Sequence, residues 1–128
     1  MSVTIFDTIS NYFEDYSLYV GSNEVELLVD VKSDISTAND FLLHVIYPEN
    51  IGTVETPITE ATWIGTLKAQ TTNVITYTIK STDIPIPGVY KIYAHVKWDA
   101  TEDDEHNIIP AVEFLGESAL LRIRRPGE

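Results

Sequence analysis

Residues 83–107 read DIPIPGVYKIYAHVKWDATEDDEHN, and the fold class turns on how this run is parsed. Between Val89 and Trp98 the chain alternates. Tyr90, Ile92, Ala94, Val96 and Trp98 take one phase, and Val89, Lys91, Tyr93, His95 and Lys97 take the other. Successive side chains of a strand point to opposite faces, so this pattern predicts a strand with one buried and one wet face, as in antiparallel sheets. Upstream, Pro85 and Pro87 fix φ and withdraw two amide donors. Neither a helix nor a paired ladder runs through IPIP, which reads as a stiff crossing from one sheet edge towards the other. Gly88 then supplies a backbone angle that other residues resist. Tyr90 follows two residues later and has two structural readings. It is a large inward residue, or it is a corner tyrosine whose hydroxyl returns to the upstream backbone, as in β-sandwich domains.

Working outward, the same period recurs. In EVELLVDVK, Val25, Leu27, Val29 and Val31 oppose Glu24, Glu26, Asp30 and Lys32. In NVITYTIK, Ile75, Tyr77 and Ile79 oppose Val74, Thr76, Thr78 and Lys80. FLLHVIY, 41–47, is apolar on both faces apart from His44, which suits a central or doubly covered strand. TWIGTLKA, 62–69, reads as a short strand with Gly65 as a bulge or close backbone approach. IIPAVEFLG, 108–116, contains Pro110 and suits an edge or irregular strand. SALLRIRR, 118–125, closes the chain, and EDYSLYVG, 14–21, is a candidate first strand. Turn-rich segments separate the runs at roughly sandwich or barrel spacing, about one strand per 10 residues.

One segment departs from this period. In TIFDTISNYFEDY, Phe6, Ile9, Phe13 and Tyr16 form a helical stripe. It reads either as a short amphipathic helix capping the open end of a sandwich or as an arm that orders against a partner. The helix is preferred. Residues 1–15 are therefore set apart from a β domain over 16–128.

A chain of 128 residues suits one domain with one core. It has no cysteine, which excludes disulfides, thiolate zinc sites and cysteine nucleophiles. Its net charge of −12 opposes binding to nucleic acid and to anionic membranes, and serves solubility. No apolar run approaches the ~20 residues of a membrane helix. The opening MSVTIFDTIS lacks the pattern of a signal peptide, so the expectation is a chain kept in a cytoplasm or built into an assembly there. Arg122, Arg124 and Arg125 crowd the C-terminal end, which suits contact with an acidic neighbour.

No catalytic constellation stands out. DATEDDEHN holds five acids between Asp99 and Glu105, but counted from Asp99 the sixth and twelfth places are Asp104 and Pro110. An EF-hand needs Gly and Glu there, so the run reads as a solvated hairpin loop whose charges protect strand ends. His44, His95 and His106 lack zinc-motif spacing. His44 reads as a satisfied polar group within a strand, His95 as lying on a wet face, and His106 as sitting among the carboxylates of the acidic loop. GES at 116–118 is not a nucleophile elbow, and no Gly-rich phosphate loop is present. Neither a metal nor a cofactor is expected, and enzymatic activity is not expected. Of the aromatics, Tyr77, Tyr90 and Trp98 look inward and Tyr93 looks outward, a weak basis for a sugar platform.

VELLVDVKSDISTANDFLLHVIYP, VITYTIKSTDIPIPGVYKIYAHVKW and GESALLRIR together resemble the small immunoglobulin-like structural domains of tailed bacteriophages. Residues about 22–124 carry the likeness, through the hydrophobic pattern and through Pro48, Gly88, Tyr90, Gly116 and Glu117. The acidic loop after Trp98 and residues 1–15 depart from it. The resemblance implies an all-β, immunoglobulin-like antiparallel sandwich of seven to nine strands. It also implies a non-enzymatic virion subunit of tail, baseplate or head, assembled in the host cytoplasm and acting through contacts with other virion proteins or copies of itself. The contact residues expected on the sequence are Phe6, Ile9, Phe13 and Tyr16 in the arm and Arg122, Arg124 and Arg125 in the tail. The alternative is a carbohydrate-binding or adhesion module using Tyr93 and the acidic loop with calcium.

Overall fold

The computed structural model describes the backbone of residues 2–6 and the whole of 18–116 and 118–127. These residues form eleven strands and no helix. They are β1 (Ser2–Phe6), β2 (Val25–Asp30), β3 (Asp40–Ile46), β4 (Glu60–Ile64), β5 (Thr66–Leu67), β6 (Val74–Ile79), β7 (Gly88–Trp98), β8 (Thr101–Glu102), β9 (Ile108–Ile109), β10 (Val112–Leu115) and β11 (Ala119–Ile123). One sheet runs β1-β2-β6-β5. The other runs β10-β7-β3-β4, with β11 also on β7, and β8 pairs with β9 as a separate hairpin. All pairings between these strands are antiparallel except β1 with β2. Strands cross between layers at β2–β3, β4–β5 and β6–β7. This is the layering of an immunoglobulin-type sandwich, with a four-stranded sheet facing a sheet centred on the long strand β7.

The alternating patterns become the two inner faces. Leu27, Ile75 and Ile79 of the first sheet and Leu43, Val45, Tyr90, Ile92 and Val96 of the second are buried in one cluster. Each such side chain contributes about 1.5–3 kcal/mol by leaving water. Trp63 and Tyr77 stack at 4.9 Å between ring centroids, and Tyr47 meets Tyr90 edge-on at 5.7 Å.

The opening turn resolves in favour of both readings of Tyr90. Its ring is fully buried, its hydroxyl donates to the Ile86 carbonyl at 2.6 Å, and it accepts from the Ile86 amide at 3.2 Å. The corner is steadied from upstream. Asp83 accepts from the Tyr77 hydroxyl at 2.7 Å and from the Lys80 amide at 2.8 Å. Gly88 sits at φ +132°, where a Cβ would come within 2.8 Å of Pro48.

Several boundaries differ from the sequence reading. The run 62–69 is two strands, because the chain changes sheets at Gly65. Its amide donates to the Phe41 carbonyl at 2.8 Å, and a Cβ there would lie 2.7 Å from Ile75 and 2.9 Å from the Thr76 carbonyl oxygen. The run 108–116 divides into β9 and β10 around Pro110, which has no amide to continue a ladder. The first strand is β1, not 14–21. Of that run's described residues, Tyr19 forms an isolated bridge with Arg124. Thr4–Phe6, read as the start of a helical stripe, belongs to β1 and pairs in parallel with Leu28–Asp30. The β-branched run Val3-Thr4-Ile5 favours an extended backbone, and pairing covers what would be an exposed edge of β2. Ile9, Phe13 and Tyr16 lie outside the described residues.

Candidate protein-docking face

The residues of opposite phase from the core build the outer face of the second sheet. Register aligns them into rungs. Leu115 pairs with His95, His95 with Leu42, and Leu42 with Ile64, so one line crosses β10, β7, β3 and β4. The next rung sets Tyr93 beside His44 and His44 beside Thr62. A third sets Leu120 beside Lys91, Lys91 beside Ile46 and Ile46 beside Glu60. Ile64 is 75% exposed and Leu115 62%, while Leu42, Ile46 and Leu120 are half-buried. β3 is thus a central strand with apolar residues on both faces.

A polar rail runs through this face. His44 Nε2 and His95 Nδ1 are 2.7 Å apart, so one nitrogen carries the proton and the other accepts it. Thr62 Oγ1 lies 3.4 Å from His44 Nδ1, and Glu113 Oε1 lies 3.5 Å from the buried His95 Nε2. One proton arrangement serves Thr62 and the two histidines. Thr62 donates to His44 Nδ1 and His44 Nε2–H donates to His95 Nδ1, which leaves the buried His95 Nε2–H without a hydrogen-bond partner among the described residues, the Glu113 carboxylate lying 3.5 Å away. The Tyr93 ring packs on His44 at 4.9 Å between centroids, tilted by 31°. Burial first, and then the neighbouring His95, hold the His44 imidazole below its usual range. Lys97 adds to this and Glu60 opposes it.

His44 is therefore a satisfied polar group in a strand, as its sequence suggested. His95 lies on the outer face, as its phase required, but its side chain is only 14% exposed because His44 and its neighbours cover it. The sequence reading missed the pairing of the two. The only local signal was that both histidines fall on the outward phase of their strands. Tyr93 faces outward, yet the His44 ring occupies part of the surface that a sugar would stack on.

The acidic run after Trp98 is the β8–β9 hairpin and its tip. Asp103 Oδ1 accepts from the Glu105 and Asn107 amides at 2.9 and 2.8 Å, so this carboxylate is committed to holding the turn and lies below the usual carboxylate range. His106 takes a positive φ of 65° and its Nδ1 lies 2.8 Å from Glu102 Oε1. Among the described residues no group of three His, Asp or Glu side chains is arranged to hold a metal ion. Of the basic residues, Arg122 is exposed beside Val89 on the outer face. The Arg124 backbone ties the chain end to Leu18 and Val20, and Arg125 is exposed beyond it. Comparison of the chain with protein-family models, curated proteins and solved structures finds no match.

Proposed function

We propose that the protein is a non-enzymatic β-sandwich scaffold that works by protein–protein contact, as a small structural subunit of a tailed-phage particle. The observation that supports contact as its mode of action is the outer face of the β10-β7-β3-β4 sheet. Large aliphatic side chains stand exposed there across the width of the sheet, on a framework stiffened by the Thr62–His44–His95 rail. A monomer gains nothing by presenting Ile64 and Leu115 to water, whereas an interface core uses such groups with a polar rim. The phage setting rests on the resemblance carried by Pro48, Gly88, Tyr90 and Gly116, and localisation in the virion follows from it. The test is density-gradient purification of tailed particles from cells expressing the chain. The chain should band with intact particles at fixed stoichiometry, and Ile64→Asp should not. A wild-type chain that stays in the light, soluble fractions contradicts the proposal.

A further inference from the structure

The β8–β9 hairpin presents Ile108 and Ile109 to solvent, at 76% and 50% exposure. Glu102, Asp103, Asp104 and Glu105 surround them, all exposed. The hairpin follows β7 in the chain, with β8 beginning at Thr101 just after Trp98. At the other end of this eleven-residue strand, about 35 Å away at ~3.3 Å per residue, the chain has the opposite character. Val89 is 48% exposed and pairs with Arg122, while Lys91 pairs with Leu120. Arg124 follows on the same chain end. Lys32 and Lys68 sit against acids of β2, and Lys80 against Glu24 just before it. Lys91, Arg122 and Arg124 form no ion pair among the described residues, and Glu60 at the edge is the nearest acid in the rungs.

One end is therefore apolar and acidic, and the other is apolar and basic. We propose that the hairpin of one copy docks on the Val89, Lys91, Arg122 and Arg124 end of the next, so that copies of this chain assemble head to tail. The inference rests on the reading of the protein as a contact scaffold and names its partner as a second copy. Two copies each carrying −12 repel at a distance, so a contact that sets opposite charges together favours association. Both ends exist in every copy and neither is self-complementary. The contact is heterologous, and it closes into a ring or runs on as a filament. One short hairpin covers less than the roughly 800 Å² per partner of a stable interface, so a single contact is weak and closure strengthens it.

Sedimentation velocity at rising concentration and low salt tests this on two charge-reversed variants. One carries Glu102→Lys, Asp104→Lys and Glu105→Lys, which together make the hairpin net basic and spare the Asp103 turn. The other carries Lys91→Glu and Arg122→Glu. All are surface changes, and thermal melts confirm that the variants fold. The wild type should self-associate. Each variant alone should associate at least about tenfold more weakly, because like charges now meet. An equimolar mixture should recover association, since every hairpin then faces an end of opposite sign. A wild type that stays monomeric, variants that associate like the wild type, or a mixture that stays monomeric overturns the proposal. Failure here leaves the scaffold reading standing if the chain still bands with particles and Ile64→Asp does not. In that case the partner is another virion protein.

Discussion

Replacing Tyr90 by Phe isolates the corner from the packing around it. The ring stays, with its edge-on contact to Tyr47, and only the hydroxyl is removed. That hydroxyl donates to the Ile86 carbonyl and accepts from the Ile86 amide. Each such hydrogen bond is worth about 1 kcal/mol net, and a partly buried backbone group left without its partner costs about 1–3 kcal/mol. Ile86 is half-buried, so water recovers some of this, and the expected loss is about 2 kcal/mol. For 128 residues the unfolding entropy near the melting temperature is roughly 270 cal/mol/K, so Tm should fall by about 7 °C. Urea unfolding followed by tryptophan fluorescence should show the midpoint lowered by about 1 M at unchanged slope, because the folded surface is the same. A Tyr90→Phe variant within about 0.5 kcal/mol of wild type would refute the claim that the hydroxyl fastens the crossing between sheets.

Gly65→Ala should destabilise by about 1–3 kcal/mol in the same assay, since its Cβ would press on Ile75 and the Thr76 carbonyl oxygen where the chain changes sheets. Ile64→Asp should leave the melting curve of the free chain within about 0.5 kcal/mol of wild type, because the side chain is 75% exposed. Stability should fall as the pH drops below about 6.5. His44 is held below its usual range when folded, so the unfolded chain binds more protons in that window, and the stability present above it is lost towards the folded-state pKa. His44→Gln keeps a polar partner for His95 but does not titrate, and thermal melts at pH 7.5 and 5.5 should show a smaller drop for it than for wild type.

The strongest local signals were the ones that survived folding. The alternation of 89–98 became the central strand of the second sheet, and IPIPG became the stiff entry to it, because proline, glycine and period-two patterning act within a few residues. Gly65 was legible as a close approach but not as a change of sheet, since that depends on Ile75 and Thr76 packing against it. The N-terminal segment shows the limit of periodicity. Spacing through Phe6 suggested a helix, yet Ser2–Phe6 extends beside β2, and nothing in the local sequence specifies that pairing. The docking face was only half legible. The two-faced apolarity of 41–47 was visible, but the His44–His95 contact spans 51 positions and follows from the register of β3 against β7, which no single strand encodes. The acidic run read correctly as a hairpin loop. Its relation to the basic end emerged only once β7 set the two at opposite ends of one strand.

Hydroxyl-radical footprinting, with mass spectrometry comparing the chain in its assembled form and free in dilute solution, bears most directly on the claim that the outer face of the β10-β7-β3-β4 sheet is a contact surface. The oxidation rates of Ile64 and Leu115 should fall severalfold on assembly, while Val74 on the outer side of the first sheet reacts as before. Equal reactivity of Ile64 and Leu115 in the two forms would contradict the account.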